Sequence, residues 1–349
     1  MMTRDLSSSS GINPSLPRIP LWRGFNLTEL AEGKRGERYK EFDFECMVQW
    51  GFNFARLPCS YWAWSDRDRW LTISDAALGP LDEAIEFGRR YGIHLNIVLH
   101  RIPGYCINKG ELEPFQLFNS TRGSKERALA AASYHWEFLA QRYKHISNAD
   151  LSFDLLNEPP FMADQSQYVE VARTLIRSIR QASPDRLIFA DGADIGQTPV
   201  LDLVDQGIVQ STRGYLPKMV SHYTADHVPA NEFESFAKPT WPMTDDHGTQ
   251  WNKERLRQQL LVKWYPLVEK GVPIHVGEWG CLNRTPHEVC LRWMSDVLSL
   301  WKQVGWGWAM WNLRGRFGPL DSNRADVDYE DFHGHKLDRK MLNLLMASW

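Results

Sequence analysis

The chain has 349 residues, 43% of them apolar and 12% aromatic, with a net charge of −3. That apolar share excludes a disordered chain, the near-neutral balance excludes a basic nucleic-acid face, and no apolar run approaches the ~18 residues of a membrane span. Sixteen tryptophans exceed what core packing usually demands, so some are candidates for a binding surface.

Residues 1–20 contain a serine run and three prolines, and predict a polar, flexible N-terminal segment ahead of a single domain over 21–349. They lack the apolar stretch of a secretion leader, which predicts a cytoplasmic protein as written, or a secreted one if a leader has been removed. From Leu21 onward, strand-like and helix-like segments alternate. Strands are predicted at Trp22–Leu27, Phe52–Leu57, His94–His100, Leu151–Asn157, Leu187–Asp191, Met219–Tyr223, Ile274–Glu278 and Gly307–Trp311, each followed by a helix. Ala132, Trp136, Leu139 and Tyr143 share one face of the third helix, and Val289, Trp293, Val297 and Leu300 one face of the seventh. Gly92, Gly271 and Gly305 stand where helices should end.

Eight such units without a break in composition predict a closed (β/α)8 barrel of the TIM type. A doubly wound sheet is disfavoured because the first strand–helix turn carries no glycine-rich phosphate loop. Two connections, Arg101–Ser124 and Thr224–Gln250, are long enough to shape a substrate groove. The odd count of five cysteines (Cys46, Cys59, Cys106, Cys281, Cys290) has no CxxC pair and predicts free thiols.

In a barrel of this kind, chemistry sits at the C-terminal ends of the strands. Those ends carry Asn26, Arg56, His100, Asn157-Glu158, His222, Glu278 and Trp311. Two carboxyls on opposed strands among hydrogen-bond donors suit glycoside hydrolysis, in which one must be protonated and the other ionised. Asp154 lies mid-strand and predicts a buried, satisfied polar group. Pro159 should push Glu158 into extended backbone, with Pro160 doing the same to Pro159. Trp136, Trp264, Trp293 and Trp301 fall at helical spacing and predict packing. Trp62, Trp64, Trp241 and Trp279 follow strands and are candidate sugar platforms. Metal chemistry is not indicated: "HEVC" at His287 lacks the second zincin histidine, "HGH" at His333–His335 follows the last strand, and Asp245–His247 reads as surface. A G-x-S-x-G elbow is missing too.

The motifs "LWRGFNL", "FNFARLP", "IVLH", "LLNEP", "HVGEWG" and "WAMWN", in this order over nearly the whole chain, resemble glycoside hydrolase family 5. The resemblance implies a retaining β-glycosidase with Glu158 as acid/base and Glu278 as nucleophile, their carboxyls roughly 5–5.5 Å apart. It further implies that Asn157 holds the 2-hydroxyl, Arg56 keeps Glu278 ionised, His100 and His222 orient sugar and carboxyls, and Trp311 stacks under the ring. No cofactor and no metal is implied. The expected partner is a β-linked glycan, with β-1,4-glucan ahead of β-1,4-mannan, and neither nucleic acid nor membrane; oligomeric state is not legible. The family's sixth strand commonly reads His-x-Tyr, whereas "SHYT" puts Tyr223 directly after His222. Either a bulge re-aims Tyr223 toward the nucleophile, or the role is lost or filled by another residue. A non-catalytic carbohydrate-binding barrel is the alternative from a different class, and keeping both glutamates disfavours it.

Overall fold

The computed structural model describes residues 16–118, 123–226 and 238–348. Eight parallel strands close into a barrel: Arg23–Asn26, Phe54–Ser60, His94–Arg101, Leu151–Asp154, Ile188–Asp191, Val209–Gly214, Ile274–Trp279 and Gly307–Met310. The first pairs with both the second and the eighth, so no edge is left open. Nearly every barrel-strand residue is buried, as expected when a sheet is covered on both faces.

Helices pack outside the barrel through their apolar stripes. Ser124–Arg142 buries Ala132, Trp136 and Leu139, and His287–Val304 buries Val289, Trp293, Val297 and Leu300. Gly92 and Gly305 cap helices with φ of 66° and 70°, left-handed values that glycine adopts without steric cost. No helix among the described residues is long and apolar enough to cross a membrane. All five cysteines are free and buried.

Two predictions fail here for one reason. The sixth strand is Val209–Gly214, and residues 219–223 instead span the end of a short helix, Lys218–Ser221, and the turn after it. The fifth strand is followed not by a full helix but by the four-residue turn Ala193–Gly196 and the single 3-10 segment Leu201–Gln206. This shortened connection brings the sixth strand in early. Polar residues lie on both of its faces, Ser211 and Arg213 toward the barrel interior and Gln210 and Thr212 toward the connection outside, which hides the strand from a hydrophobicity pattern.

Residues 1–15 of the predicted N-terminal segment lie outside the described residues, while Leu16 is buried in the core. Parts of both long connections, 119–122 and 227–237, also lie outside them. Within the second, Met243–Thr244 pairs with Gln250–Trp251, and the Asp245 carboxylate accepts from the Thr249 and His247 amides and the Trp251 indole. At the floor of the barrel, Trp22 stacks on His94 at 3.7 Å, and Phe54 lies 4.6 Å from His275, with Phe189 alongside.

Candidate active site

Arg56 rises from the second strand with 1% exposure and spends its donors on four partners. Nη1 donates to Glu278 Oε1 at 2.6 Å and to Asn26 Oδ1 at 3.1 Å; Nη2 donates to Asn157 Oδ1 at 2.9 Å, and Nε to Asp154 Oδ2 at 3.2 Å. Asn26 is fully buried, and its amide donates to the Gly277 carbonyl at 3.0 Å, so it orients Arg56 from below. Asp154 is buried as expected but only half satisfied: Oδ1 has no hydrogen-bond partner among the described residues. Burial and the nearby Asp191 charge push its carboxyl up to about 7.

The corrected sixth strand ends Arg213-Gly214 and leads straight into Tyr215, so alternation carried one residue on aims Arg213 and Tyr215 into the barrel together. The sequence there reads Arg-x-Tyr where the family commonly has His-x-Tyr. Tyr215 donates its hydroxyl to Glu278 Oε2 at 3.2 Å, the contact considered for Tyr223. Burial pushes the Tyr215 phenol well above its ordinary value, which keeps it a proton donor. Arg213 donates from Nε to Glu158 Oε1 at 3.0 Å and from Nη2 to Asn157 Oδ1 at 3.0 Å. It also forks onto both oxygens of Asp191, with Nη1 at 2.8 Å from Oδ1 and Nη2 on Oδ2. Arg213 and Asp191 escape a reading that places the sixth strand at 219–223 and passes over the end of the fifth. The strand-end rule applied to "LIFAD" points at Asp191 directly.

Glu158 is not extended. Its φ is 50°, in the left-handed region. Its N–H donates to Asp191 Oδ2 at 2.7 Å and its carbonyl accepts from the Tyr105 hydroxyl, and these contacts override the local influence of Pro159. A non-glycine residue held there stores roughly 1–3 kcal/mol of strain, a cost that surrounding structure must offset.

The two glutamates are pushed in opposite directions. Burial, reinforced by the Glu278 charge, raises the Glu158 carboxyl to about 7. Burial would also raise Glu278, but the guanidiniums of Arg213 and Arg56 outweigh it and hold that carboxyl below its ordinary range. His100 is lowered to about 4 by burial, so its ring is neutral at pH 7, and it stacks on Trp311 at 5.7 Å. His222 packs edge-on against Tyr215 at 4.7 Å. Glu158, Glu278, His100, His222, Tyr215 and Trp311 all face one cavity of about 520 Å³. Tyr223 does not line this cavity. No cluster of metal-ligating side chains occurs among the described residues.

Three of the four candidate sugar platforms are buried and present no face to the cavity. Trp64 donates to His135 Nδ1 at 3.0 Å, Trp241 donates to Asp296 at 2.9 Å, and Trp279 is wedged 4.9 Å from Trp301 and 5.3 Å from Trp308. Only Trp62 stays half-exposed, with the Arg101 guanidinium 4.0 Å from its ring centroid. Post-strand position predicts location, but an indole is also the side chain that best fills space between barrel and helices.

Comparison with known proteins matches residues 20–316 to the family described as Cellulase (glycosyl hydrolase family 5). Endoglucanase C of Acetivibrio thermocellus is 24% identical over 312 residues, which cover 83% of this chain and 88% of that one. Cellodextrinase A of Ruminococcus flavefaciens is 24% identical over 275 residues, covering 76% of each chain. A glycoside hydrolase of known crystal structure superimposes with a TM-score of 0.87 at 34% identity, covering 94% of this chain and 99% of that one.

Proposed function

The chain belongs to glycosyl hydrolase family 5, the cellulase family, and on that premise we propose that it is a retaining endo-β-1,4-glucanase with Glu278 as nucleophile and Glu158 as acid/base. The observation that carries this reading is the opposed pull on two carboxyls in one cavity. Glu278 is held ionised by two guanidiniums, while Glu158 is kept protonated by burial. Both reach the same guanidinium, Arg213, at 3.0 and 3.7 Å, so the two carboxyls share one cation.

In the first step a Glu278 oxygen attacks the anomeric carbon. The bond to the leaving oxygen breaks, and its electron pair takes the Glu158 proton. In the second, Glu158 removes a proton from water, whose oxygen displaces Glu278 and restores both groups. Asn157 Nδ2 is buried and has no partner among the described residues, leaving a donor for the 2-hydroxyl. Tyr215 and Arg56 fix the two Glu278 oxygens, and Trp311 offers its ring to the sugar. Endoglucanase C and Cellodextrinase A, both similar over most of this chain, favour a β-1,4-glucan as substrate.

A screen against carboxymethylcellulose, glucomannan and the matching oligosaccharides tests the substrate, with the anomer first released read by NMR. Glucan cleavage with a β-anomer product is expected. Faster cleavage of mannan would reassign the substrate, and an α-anomer would overturn the retaining mechanism. Glu278→Ala should abolish turnover with the melting transition retained; tight glycan binding without any turnover by the parent protein would favour a binding barrel.

A further inference from the structure

We propose that Arg213, anchored by Asp191, is a positioning residue that holds both glutamates on one permanent positive charge and carries that charge relation through each half-reaction. The inference rests on the roles given above to Glu158 and Glu278.

The space around Arg213 is shaped for a guanidinium. A Cβ at Gly277 would stand 2.9 Å from Arg213 Nη1, 2.4 Å from Ser211 Oγ and 3.6 Å from Arg56 Nε. A Cβ at Gly196 would stand 2.8 Å from Arg213 Cγ. Gly196, at φ 74°, closes the turn in which Asp194 and Ile195 take φ of 53° and 55°. Left-handed backbone is a genuine outlier for a β-branched residue. The Ile195 N–H donates to the Pro159 carbonyl at 2.7 Å, so the strained turn is tied to the segment that follows Glu158. Two glycines and one strained turn thus leave room for this side chain, and Asp191 fixes it with a bidentate fork, the strong geometry for arginine and carboxylate. Asp191 also binds the Glu158 amide, so one carboxylate orients both the arginine and the backbone of the acid/base.

The chemistry explains why a fixed cation belongs between the glutamates. During glycosylation Glu278 gives up its charge as it forms the ester, and Glu158 gains one as its proton leaves. A unit of negative charge therefore moves from a group 3.7 Å from Arg213 to a group 3.0 Å from it. Deglycosylation moves it back. A guanidinium stays protonated throughout and need not reorganise, which is what preorganised electrostatic stabilisation requires. The groups facing Arg213 are the acids Asp191, Glu278, Glu158 and Asp154, the bases Arg56, His100 and His275, and the phenols Tyr168 and Tyr215.

The test is a set of three variants, Arg213→Gln, Arg213→Lys and Asp191→Asn, each read by pH–rate profile and by 13C NMR titration of glutamate side-chain carboxyls. Loss of the cation disfavours the ionised form of both glutamates. Both carboxyl titrations, and both limbs of the kcat/KM profile, should therefore move to higher pH in R213Q by about one unit or more. R213K keeps the charge and loses the fork, so its limbs should stay near those of the parent while kcat falls. D191N should lower kcat more than it raises KM. A folded R213Q with unmoved carboxyl titrations overturns the inference. Should R213Q not fold, R213K with undiminished kcat overturns it instead. The NMR titration needs no turnover, so an inactive parent protein would sink the glucanase reading while leaving this one decided by the carboxyls.

Discussion

Glu158 and Glu278 carry the same functional group, and everything that separates them comes from their neighbours. On the proposed mechanism Glu158 must be protonated and Glu278 ionised, so kcat/KM should follow a bell, with its basic limb near pH 7 and its acid limb below the ordinary carboxyl value of 4.5. A pH–rate series on a soluble cello-oligosaccharide checks this, and a basic limb below pH 5 would show that Glu158 is not the group kept protonated. At this scale the sequence is legible where a polar residue falls at or near the end of a predicted strand, as at Asn26, Arg56, Asn157, Glu158 and Glu278, although the second strand itself runs on to Ser60 and the fourth stops at Asp154. It is illegible where tertiary contacts set the backbone. Pro159 biases Glu158 toward extended geometry, yet the Asp191 carboxylate and Tyr105 hydroxyl hold it at φ 50°.

Among the elements, the connection from the fifth to the sixth strand departs furthest from expectation. "MVSHY" has the apolar and aromatic character of a strand, while "VQSTRG" is a strand with polar side chains on both faces, Ser211 and Arg213 inward and Gln210 and Thr212 outward. Arg213 points at the carboxyls, Ser211 accepts from it, and Gln210 bonds both polar groups of the Val200 backbone. A pattern that equates strand with apolar alternation fails where the barrel interior is itself polar. The seventh strand is legible for the opposite reason, with an apolar start and one glutamate at its end. Gly277, just before that glutamate, leaves room for two guanidiniums. Gly277→Ala should therefore cost about 1–3 kcal/mol as an overpacked site and reduce activity far more than stability accounts for. Thermal denaturation beside kcat measures both, and a variant with full activity would show that the arginines have slack.

For the whole molecule, the eightfold strand–helix alternation is legible because each unit repeats the same local signals, even where one helix is reduced to turns. Oxidation chemistry follows from packing at this scale. All five thiols are buried, and burial pushes Cys46 and Cys59 up to about 12. Dithionitrobenzoate at pH 8 should label none of them within minutes in the native protein and all five in guanidinium chloride, making thiol release a probe of global unfolding. Rapid labelling without denaturant would reveal local opening of a barrel helix. The aromatic and imidazole rings stacked at the barrel floor, Trp22 on His94 and Phe54 beside His275, have a consequence for traffic. They make the barrel a cup instead of a tube. On the proposed mechanism, a glycan cleaved above Glu278 has to enter and depart across the same rim, so a departing fragment would stand in the doorway the next chain must use.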